Sequence, residues 1–328
     1  QADWTAPDQR LLRSAIPENR MRVYDIRTVI DLLVDEGSTL ELRRGWAPGM
    51  VTSLVRIEGR PYGLIANNPR HLGGAIDADA ADKAARFLQL CDAHGLPVIS
   101  LCDTPGFMVG PEAEKTALVR RVCRMFVVGA ALTVPVFAVV LRKGYGLGAQ
   151  AMVAGGFKES ALTVSWPTGE FGGMGLEGAV RLGYRKELEA VADEAEKQAL
   201  FEKLLANYYE IGKAVNYAGA TEIDAVIDPL ETRAWIVNAN NAAPAQRGQP
   251  VAGGLSTRSS RPRKYAADEH RPSWHRACAR THQRRKPGRR TDQKRYLRPG
   301  RRGAVPVRPE VPARPRRASY ARKLSGSW

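Results

Sequence analysis

The sequence predicts an α/β fold built around a parallel sheet that is buried on both faces. Between residues 20 and 240, apolar runs of strand length alternate with segments whose apolar residues recur at helical spacing. The apolar runs lack the polar alternation of strands that face water on one side. Three of the runs end in glycine-rich turns that lead into helices. Strand–helix–strand units of this kind are typical of parallel sheets.

The predicted elements begin with a short helix over Arg22–Val34. Two strands follow, Met50–Ile57 and Pro61–Asn67, joined by a turn at Glu58–Gly59. Alanines and leucines at helical spacing predict a helix over Asp77–His94. The remaining predicted elements are the strands Val98–Cys102, Val134–Leu141 and Ala161–Trp166, and the helices Glu112–Ala131, one beginning within Gly146–Gln150, Glu177–Leu182, Glu187–Tyr209 and Glu231–Asn238.

Basic residues are concentrated in the C-terminal part of the chain. Residues 247–328 hold 24 lysines and arginines against 4 acidic residues, a net +20, whereas residues 1–246 carry a net −4. After about residue 243 the periodicity stops, and Arg, Pro, Gly and Ser predominate. Such a composition buries too little apolar area to offset the entropy of ordering. We therefore predict one domain over residues 1–243 and a disordered Arg/Pro-rich tail over residues 244–328.

The cysteines argue against a metal site. Cys91, Cys102, Cys123 and Cys278 show no C-x-x-C pairing and no metal-type spacing. Three of them lie in apolar segments, which predicts buried thiols, favours a reducing compartment and leads us to expect a cytoplasmic protein. The sequence contains no 18-residue apolar span and no signal-peptide pattern. It therefore predicts no metal in this chain and no membrane association.

The first glycine-rich turn ends the strand at Val134–Leu141 and contains Gly144, Gly146 and Gly148. A strand that ends in glycines and leads into a helix leaves backbone N–H groups available at the helix N-terminus, where negative charge is favoured. The spacing G-x-G-x-G is not the dinucleotide fingerprint, which requires G-x-G-x-x-G and a later acidic residue. The turn therefore predicts either an anion-binding backbone or a structural turn that binds nothing.

The second turn, within Asp103–Thr116, contains Gly106 and Gly110 and lies one strand–helix unit earlier. Its Lys115–Thr116 pair resembles the end of a P-loop, but Glu114 occupies the position where that motif needs glycine. Because the carboxyl ends of parallel strands meet at one sheet edge, the two turns are expected to lie side by side. Neighbouring amides there can form an oxyanion hole. A third glycine-rich loop, within Ser165–Val180, is predicted either to join this edge or only to pack against it.

Catalysis by side chains has little support in the sequence of the domain. Its histidines are His71, in a glycine-rich loop, and His94, at a predicted helix end. A structural or exposed role is the favoured interpretation of both. The sequence has no G-x-S-x-G elbow, H-E-x-x-H motif or paired cysteines. Donors without a base suit a reaction in which the substrate or cofactor supplies the base.

Several motifs in order resemble the carboxyltransferase (β) subunit of biotin-dependent acyl-CoA carboxylases of the acetyl- and propionyl-CoA type. They are GLIANNP, GGAIDADAADKAARFLQLCDAHGLPVISLCDTPGFMVG, TVPVFAVVLRKGYGLGAQAM and SWPTGEFGGMGLEGAV. The match spans roughly residues 15–240 and is similar to the C-terminal half of that subunit, without the acyl-CoA-binding N-terminal half. The resemblance implies a crotonase/ClpP-like ββα spiral and transfer of a carboxyl group from carboxybiotin to the α-carbon of an acyl-CoA.

The resemblance also implies roles for individual residues. The catalytic set is the backbone around Gly146, Leu147 and Gly148, with Gly106 and Phe107 from the neighbouring turn. Many family members carry Gly-Gly-Ala where this chain has Gly146-Leu147-Gly148. The residues implied in binding the cofactor are Gly144, Tyr145, Gly106 and Phe107, and those implied in binding the substrate are Gln150 and Ala149.

The partners that the resemblance implies are an acyl-CoA substrate and biotin carried on a separate carrier or biotin carboxylase subunit. They also include an N-terminal carboxyltransferase half and further copies of the chain, commonly in a hexamer. The tail departs from the family, and out-of-frame translation of a GC-rich gene is our hypothesis for it.

Two other functions stay open from the sequence. One is the α subunit of a biotin-dependent acyl-CoA decarboxylase, which shares the fold and the half-reaction. The other is a nucleic-acid-binding protein that uses the basic tail, whose binding would weaken steeply with salt. The tail's few aromatic residues are scattered, which weakens that hypothesis and leaves a nucleic-acid partner unexpected.

Overall fold

One mixed sheet organises the domain in the computed structural model, which describes residues 3–20 and 22–243. The predicted tail, residues 244–328, lies outside the described residues. The strands of the described part are β1 (Leu40–Glu41), β2 (Met50–Ile57), β3 (Arg60–Asn67), β4 (Val98–Thr104), β5 (Val136–Tyr145), β6 (Leu162–Ser165), β7 (Glu170–Gly172) and β8 (Ala225–Val226). The α-helices are α1 (Ile26–Leu33), α2 (Ala78–Ala93), α3 (Pro111–Lys115), α4 (Leu118–Gly129), α5 (Gly146–Met152), α6 (Leu176–Gly183), α7 (Arg185–Ala190), α8 (Glu194–Ile211), α9 (Ala214–Gly219) and α10 (Thr232–Ala242).

The strand order is β1-β2-β3-β4-β5-β6-β8, with β7 paired to the far end of β5. The pairs β1–β2 and β2–β3 are antiparallel, and β3–β4–β5–β6–β8 run parallel. The predicted parallel sheet is therefore confirmed, with an antiparallel hairpin at one side. Every residue of β4 is buried, as expected for a strand covered on both faces.

Two apolar layers enclose the sheet. One side packs against α2, α4 and α5, and its cluster includes Phe87, Met125 and Phe171. The other side packs against α1 and α10 and includes Ile30 and Trp166. α2 begins at an Asp77 cap, whose carboxylate accepts the amide of Ala80 at 2.7 Å. These layers fix the carboxyl ends of β3, β4 and β5 at one edge.

Two predicted helices are divided in the structure, so the predictions of one continuous helix were wrong. The predicted helix Glu112–Ala131 is split into α3 and α4 at Ala117, whose φ of 57° is left-handed. The predicted helix Glu187–Tyr209 is split into α7 and α8, and Asp193 caps α8 by accepting the amide of Glu196. The first helix also begins later than predicted, because Asp25 caps it at Ile26. Local capping and backbone geometry override the apolar spacing at these points.

Candidate active site

The two predicted turns meet at the carboxyl edge of the sheet. A Cβ atom on Gly148 would lie 2.7 Å from both Cα and the carbonyl carbon of Gly106, and 3.0 Å from the backbone nitrogen of Phe107. No side chain fits in that space without moving backbone. The approach confirms that β4 and β5 deliver their turns side by side, as the parallel order requires.

Side chains and backbone hold the turn after β4 rigidly. The amide of Gly106 donates to the hydroxyl of Thr104 at 3.1 Å, and the amide of Ile76 donates to the carbonyl of Gly106 at 3.0 Å. Gly106 has a φ of 124°, which L-residues rarely adopt. Phe107 is half-buried and packs edge-to-face on Phe126. The Gly106 amide already has an acceptor. The Phe107 nitrogen lies next to Gly148 in α5, so Phe107 is the residue of this pair whose amide can serve the site.

The turn after β5 is set by the pairing of β5 with β7. Gly144 pairs with Phe171 and Tyr145 with Gly172. The Tyr145 hydroxyl donates to the Glu170 carboxylate at 2.9 Å, and burial, with the nearby carboxylate, raises the pKa of this tyrosine. The structure therefore places Gly144 and the side chain of Tyr145 inside the protein, where they support the turn.

Helix α5 starts where the backbone reverses direction. Gly146 has a φ of 58°, and a Cβ there would lie 2.7 Å from the carbonyl oxygen of Gly173. The first amides of a helix have no partner four residues earlier and carry partial positive charge. The Leu147 side chain is 62% exposed, whereas Gly148 and Ala149 are buried. The main chain is therefore the chemically useful part of this turn.

A cavity of about 450 Å³ lies beside α5 and contains two predicted site residues, Gly146 and Gln150. Ala149 is fully buried and packs in the core rather than in the cavity wall. Leu147, Gly148, Gly106 and Phe107 are not among its lining residues. The full lining is Gly146, Gln150, Phe157, Gly172, Gly173, Ile211, Asn216, Tyr217, Ala220 and Glu222.

A buried charge network lies directly behind the turns, and the sequence patterns above did not reveal it. Asp103 is fully buried and accepts the Tyr24 hydroxyl at 2.8 Å and the Arg142 Nε at 3.2 Å. The Lys143 ammonium lies 3.9 Å from this carboxylate, and burial lowers the pKa of the lysine. The sequence did contain a signal for this network. Asp103 and Arg142 lie near the ends of two adjacent apolar strands, and buried charges need partners.

The polar partners of the two domain histidines lie outside the two turns. His71 lies 3.5 Å from the Asp77 carboxylate, near Gly49. His94 ends α2, where its amide donates to the carbonyls of Leu90 and Cys91. In the described part of the chain, no group of three or more His, Cys, Asp or Glu side chains is arranged to hold a metal ion. No helix of residues 3–20 and 22–243 is long and apolar enough to cross a membrane.

Comparison with known proteins places the chain among carboxyltransferases. The family model of the carboxyl transferase domain matches residues 1–251. The chain is 36% identical over 240 residues to the biotin-dependent acetyl-/propionyl-coenzyme A carboxylase beta6 subunit of Mycobacterium tuberculosis, covering 73% of this chain and 50% of that protein.

Two solved structures have the same fold. A single-chain, multi-domain long-chain acyl-CoA carboxylase matches with a TM-score of 0.67 and 59% identity, over 72% of this chain and 23% of that one. The transcarboxylase 12S hexamer matches with a TM-score of 0.66 and 32% identity, over 76% of this chain and 49% of that one. The chain thus spans about half the length, or less, of these relatives. With a matching family model over most of its length, the chain belongs to the carboxyl transferase domain family.

Proposed function

We propose that this chain is the C-terminal half of a carboxyltransferase that moves the carboxyl group of carboxybiotin to the α-carbon of an acyl-CoA. The observation that carries the proposal is the contact of Gly148 with Gly106 and Phe107, which brings the backbones of the two turns together. The names of the relatives point to the same chemistry. The finer fold that we propose is the crotonase/ClpP-like ββα spiral.

The chain's contribution is electrostatic. Carboxybiotin, when bound, supplies CO2 and a ureido group that accepts the α-proton of the thioester. The amides of Leu147 and Gly148, with that of Phe107, are placed to donate to an oxygen on which negative charge develops. Because Gly106 and Gly148 carry no side chain, the two turns approach each other at backbone contact. Gly146 sets the backbone conformation of the turn, and Gly144 and Tyr145 hold the end of β5 that precedes it.

Gln150 is our candidate for contact with the acyl group, because it lines the cavity beside α5. Ala149 supports it from the core. The partners that we propose are the acyl-CoA, a biotin carrier with its biotin carboxylase, the N-terminal half of a carboxyltransferase and further copies of the chain. The hexamer named for the transcarboxylase relative supports the last of these. The proposed location is the cytoplasm.

Removal of one amide proton tests the proposal. The chain is combined with an N-terminal carboxyltransferase half, a biotinylated carrier and acyl-CoAs from acetyl-CoA to a long-chain thioester. Proline is tolerated in the first turn of a helix, so Leu147→Pro removes the donor. Leu147→Ala is the matched control, which shortens the exposed side chain and keeps the donor. We expect Leu147→Pro to lower kcat by about 10²–10³-fold and the alanine variant to stay near wild type.

Two further measurements keep the result interpretable if the proline variant is destabilised or if the enzyme only removes carboxyl groups. If Leu147→Pro lowers the melting temperature, the pair Leu147→Glu and Leu147→Gln replaces it, since only the glutamate adds a negative charge at the turn. Equal activities in both pairs would contradict the proposal. If the wild-type chain only removes carboxyl groups from acyl-CoAs and never adds one, the decarboxylase α subunit is the better assignment.

A further inference from the structure

The ladder between β4 and β5 changes register beside the active-site turns. Cys102 pairs with Val140, and the next pair is Thr104 with Gly144. An advance of two residues along β4 therefore corresponds to an advance of four residues along β5. Extra residues bend a strand and change the direction of the chain beyond the bend. The bend at residues 141–143 directly precedes the start of α5, which lies against Gly106.

Asp103 lies opposite this bend and takes the place of the missing ladder partner. Its Oδ1 accepts the backbone amide of Lys143 at 3.1 Å. Its Oδ2 accepts the hydroxyl of Tyr24 and the guanidinium of Arg142, whose Nη2 lies 3.1 Å away. A buried amide without an acceptor costs about 1–3 kcal/mol, so the carboxylate stabilises the bend.

The position of Asp103 is itself fixed by its backbone. Its amide donates to the side-chain oxygen of Asn67 at 3.1 Å. Its carbonyl oxygen lies so close to Gly74 that a Cβ there would be 2.3 Å away. The next residue, Thr104, holds the Gly106 amide through its hydroxyl. One residue thus connects the turn after β4 with the bend that leads to α5.

Arg142 completes the support. Its Nη1 donates to the carbonyl of Arg22 at 2.9 Å, and its guanidinium lies 5.1 Å from the centre of the Tyr24 ring. Both members of the pair are buried, and each has several hydrogen bonds. Pairs of this kind contribute little net stability compared with an apolar replacement, and their use is often geometric specificity.

We propose that Asp103 is a positioning residue for carboxyl transfer. By holding the bend of β5 at the Lys143 amide, it sets the separation of the amides of Phe107 and Gly148. Asp103 touches no reacting atom, and it acts through the backbone. The inference rests on the proposed function, because positioning is meaningful only if the two turns hold the anion.

The chain offers a matched control at the other end of the sheet. Asp35 is also buried, pairs with Arg233, and accepts the amides of Glu58 at 3.0 Å and Gly59 at 2.8 Å. It supports the β2–β3 turn, about 23 Å along β3 from its active-site end. The same chemical replacement at the two sites therefore separates positioning from general stability.

The main comparison is Asp103→Leu/Arg142→Met against Asp35→Leu/Arg233→Met, assayed in the reconstituted enzyme. Each double variant removes a buried ion pair together with the acceptors of backbone amides. We expect the first variant to lower kcat per folded enzyme by about 100-fold with little change in KM, because a misplacement near 1 Å costs about that much. The control should keep kcat within about twofold, even where its melting temperature falls equally.

Two additional readouts accompany the kinetics. Asp103→Asn/Arg142→Gln keeps one acceptor oxygen for Lys143, and we expect it to restore about tenfold of the lost kcat. Hydrogen exchange by mass spectrometry needs no activity. In the Asp103 variant we expect faster exchange over residues 141–150, and in the control faster exchange over residues 57–62 instead. If the wild type transfers no carboxyl group, the proposed function fails, and the exchange pattern then decides only whether Asp103 holds the bend of β5.

Either of two results would overturn the proposal. One is equal kcat in the two leucine/methionine variants, and the other is unchanged exchange over residues 141–150 in the Asp103 variant. If that variant does not fold, Tyr24→Phe takes its place, since it removes one donor to Asp103. Tyr62→Phe is its control, because the buried Tyr62 hydroxyl has no hydrogen-bond partner among the described residues. We then expect kcat to fall and exchange over residues 141–150 to rise only in Tyr24→Phe, and identical behaviour of both variants would refute the proposal.

Discussion

The backbone contact between the two active-site turns predicts the effect of a single added methyl group. In Gly148→Ala, the new Cβ would meet Cα and the carbonyl carbon of Gly106 at 2.7 Å. Non-bonded carbon atoms pack at about 3.5–4.0 Å, so the two turns must separate by about 0.8 Å. The neighbouring atoms belong to the backbone, which cannot rotate away as a flexible side chain does.

The displacement sets the size of the two expected effects. Ala gains about 1 kcal/mol over Gly in a helix, whereas overpacking costs about 1–3 kcal/mol, so we expect a net loss of up to about 2 kcal/mol. Carboxyl transfer should fall by about 10-fold to 100-fold, because the amides of the two turns no longer converge. Urea unfolding measures the first effect, and kcat in the reconstituted assay measures the second.

A second glycine supplies the control. Gly178 lies in α6, and a Cβ there would meet only the Cε of Met174, at 3.3 Å. Met174 is partly exposed and flexible, so Gly178→Ala should stabilise the protein by about 0.5–1 kcal/mol and leave kcat unchanged. If both alanine variants change stability in the same direction and keep wild-type kcat, the argument from close approach is refuted.

The Gly-Gly-Ala pattern that the family resemblance implies suggests a rescue. It places glycine at the position of Leu147 and alanine at the position of Gly148. The variant Leu147→Gly/Gly148→Ala reproduces that pattern, and a glycine before the alanine gives the turn more backbone freedom. We expect it to recover part of the kcat lost in Gly148→Ala, and a further loss would contradict this interpretation.

Two further predictions concern stability. A Cβ on Gly63 would lie 2.2 Å from the Cys91 sulfur, so Gly63→Ala should destabilise the protein by about 1–3 kcal/mol. Adding Cys91→Ala should reduce that loss in urea unfolding, and additive losses would be inconsistent with the contact. Burial lowers the pKa of Lys83 to about 8, so the unfolded chain binds more protons between pH 8 and about 10.4. The unfolding free energy of the wild type relative to Lys83→Met should rise by about 1–3 kcal/mol over that window, and a constant difference would refute the sign.

The sequence predicted the elements that form the edge of the active site. The strands β4, β5 and β6 were found because their apolar runs are continuous, and their glycine-rich ends marked the turns. The adjacency of Gly106 and Gly148 was also predictable, because neighbouring parallel strands end at one edge. The donor role of the Leu147, Gly148 and Phe107 amides stays a prediction.

Other features were hidden in the sequence. The break at Ala117 depends on one left-handed residue inside an apolar pattern that continues on both sides of it. The commitment of the Gly106 amide to Thr104 and the burial of Tyr145 against Glu170 depend on local geometry. Apolar spacing carries no information about these interactions.

The sequence alone determined the family and the order of the strands that carry the turns. Only the tertiary structure decided how far apart the turns lie. That distance is set by Asp103 and Arg142, which are 39 positions apart and meet through a hydrogen bond across adjacent strands. Periodicity reports which face of an element is buried, whereas a pairing between distant charges exists only after the sheet has brought their strands together.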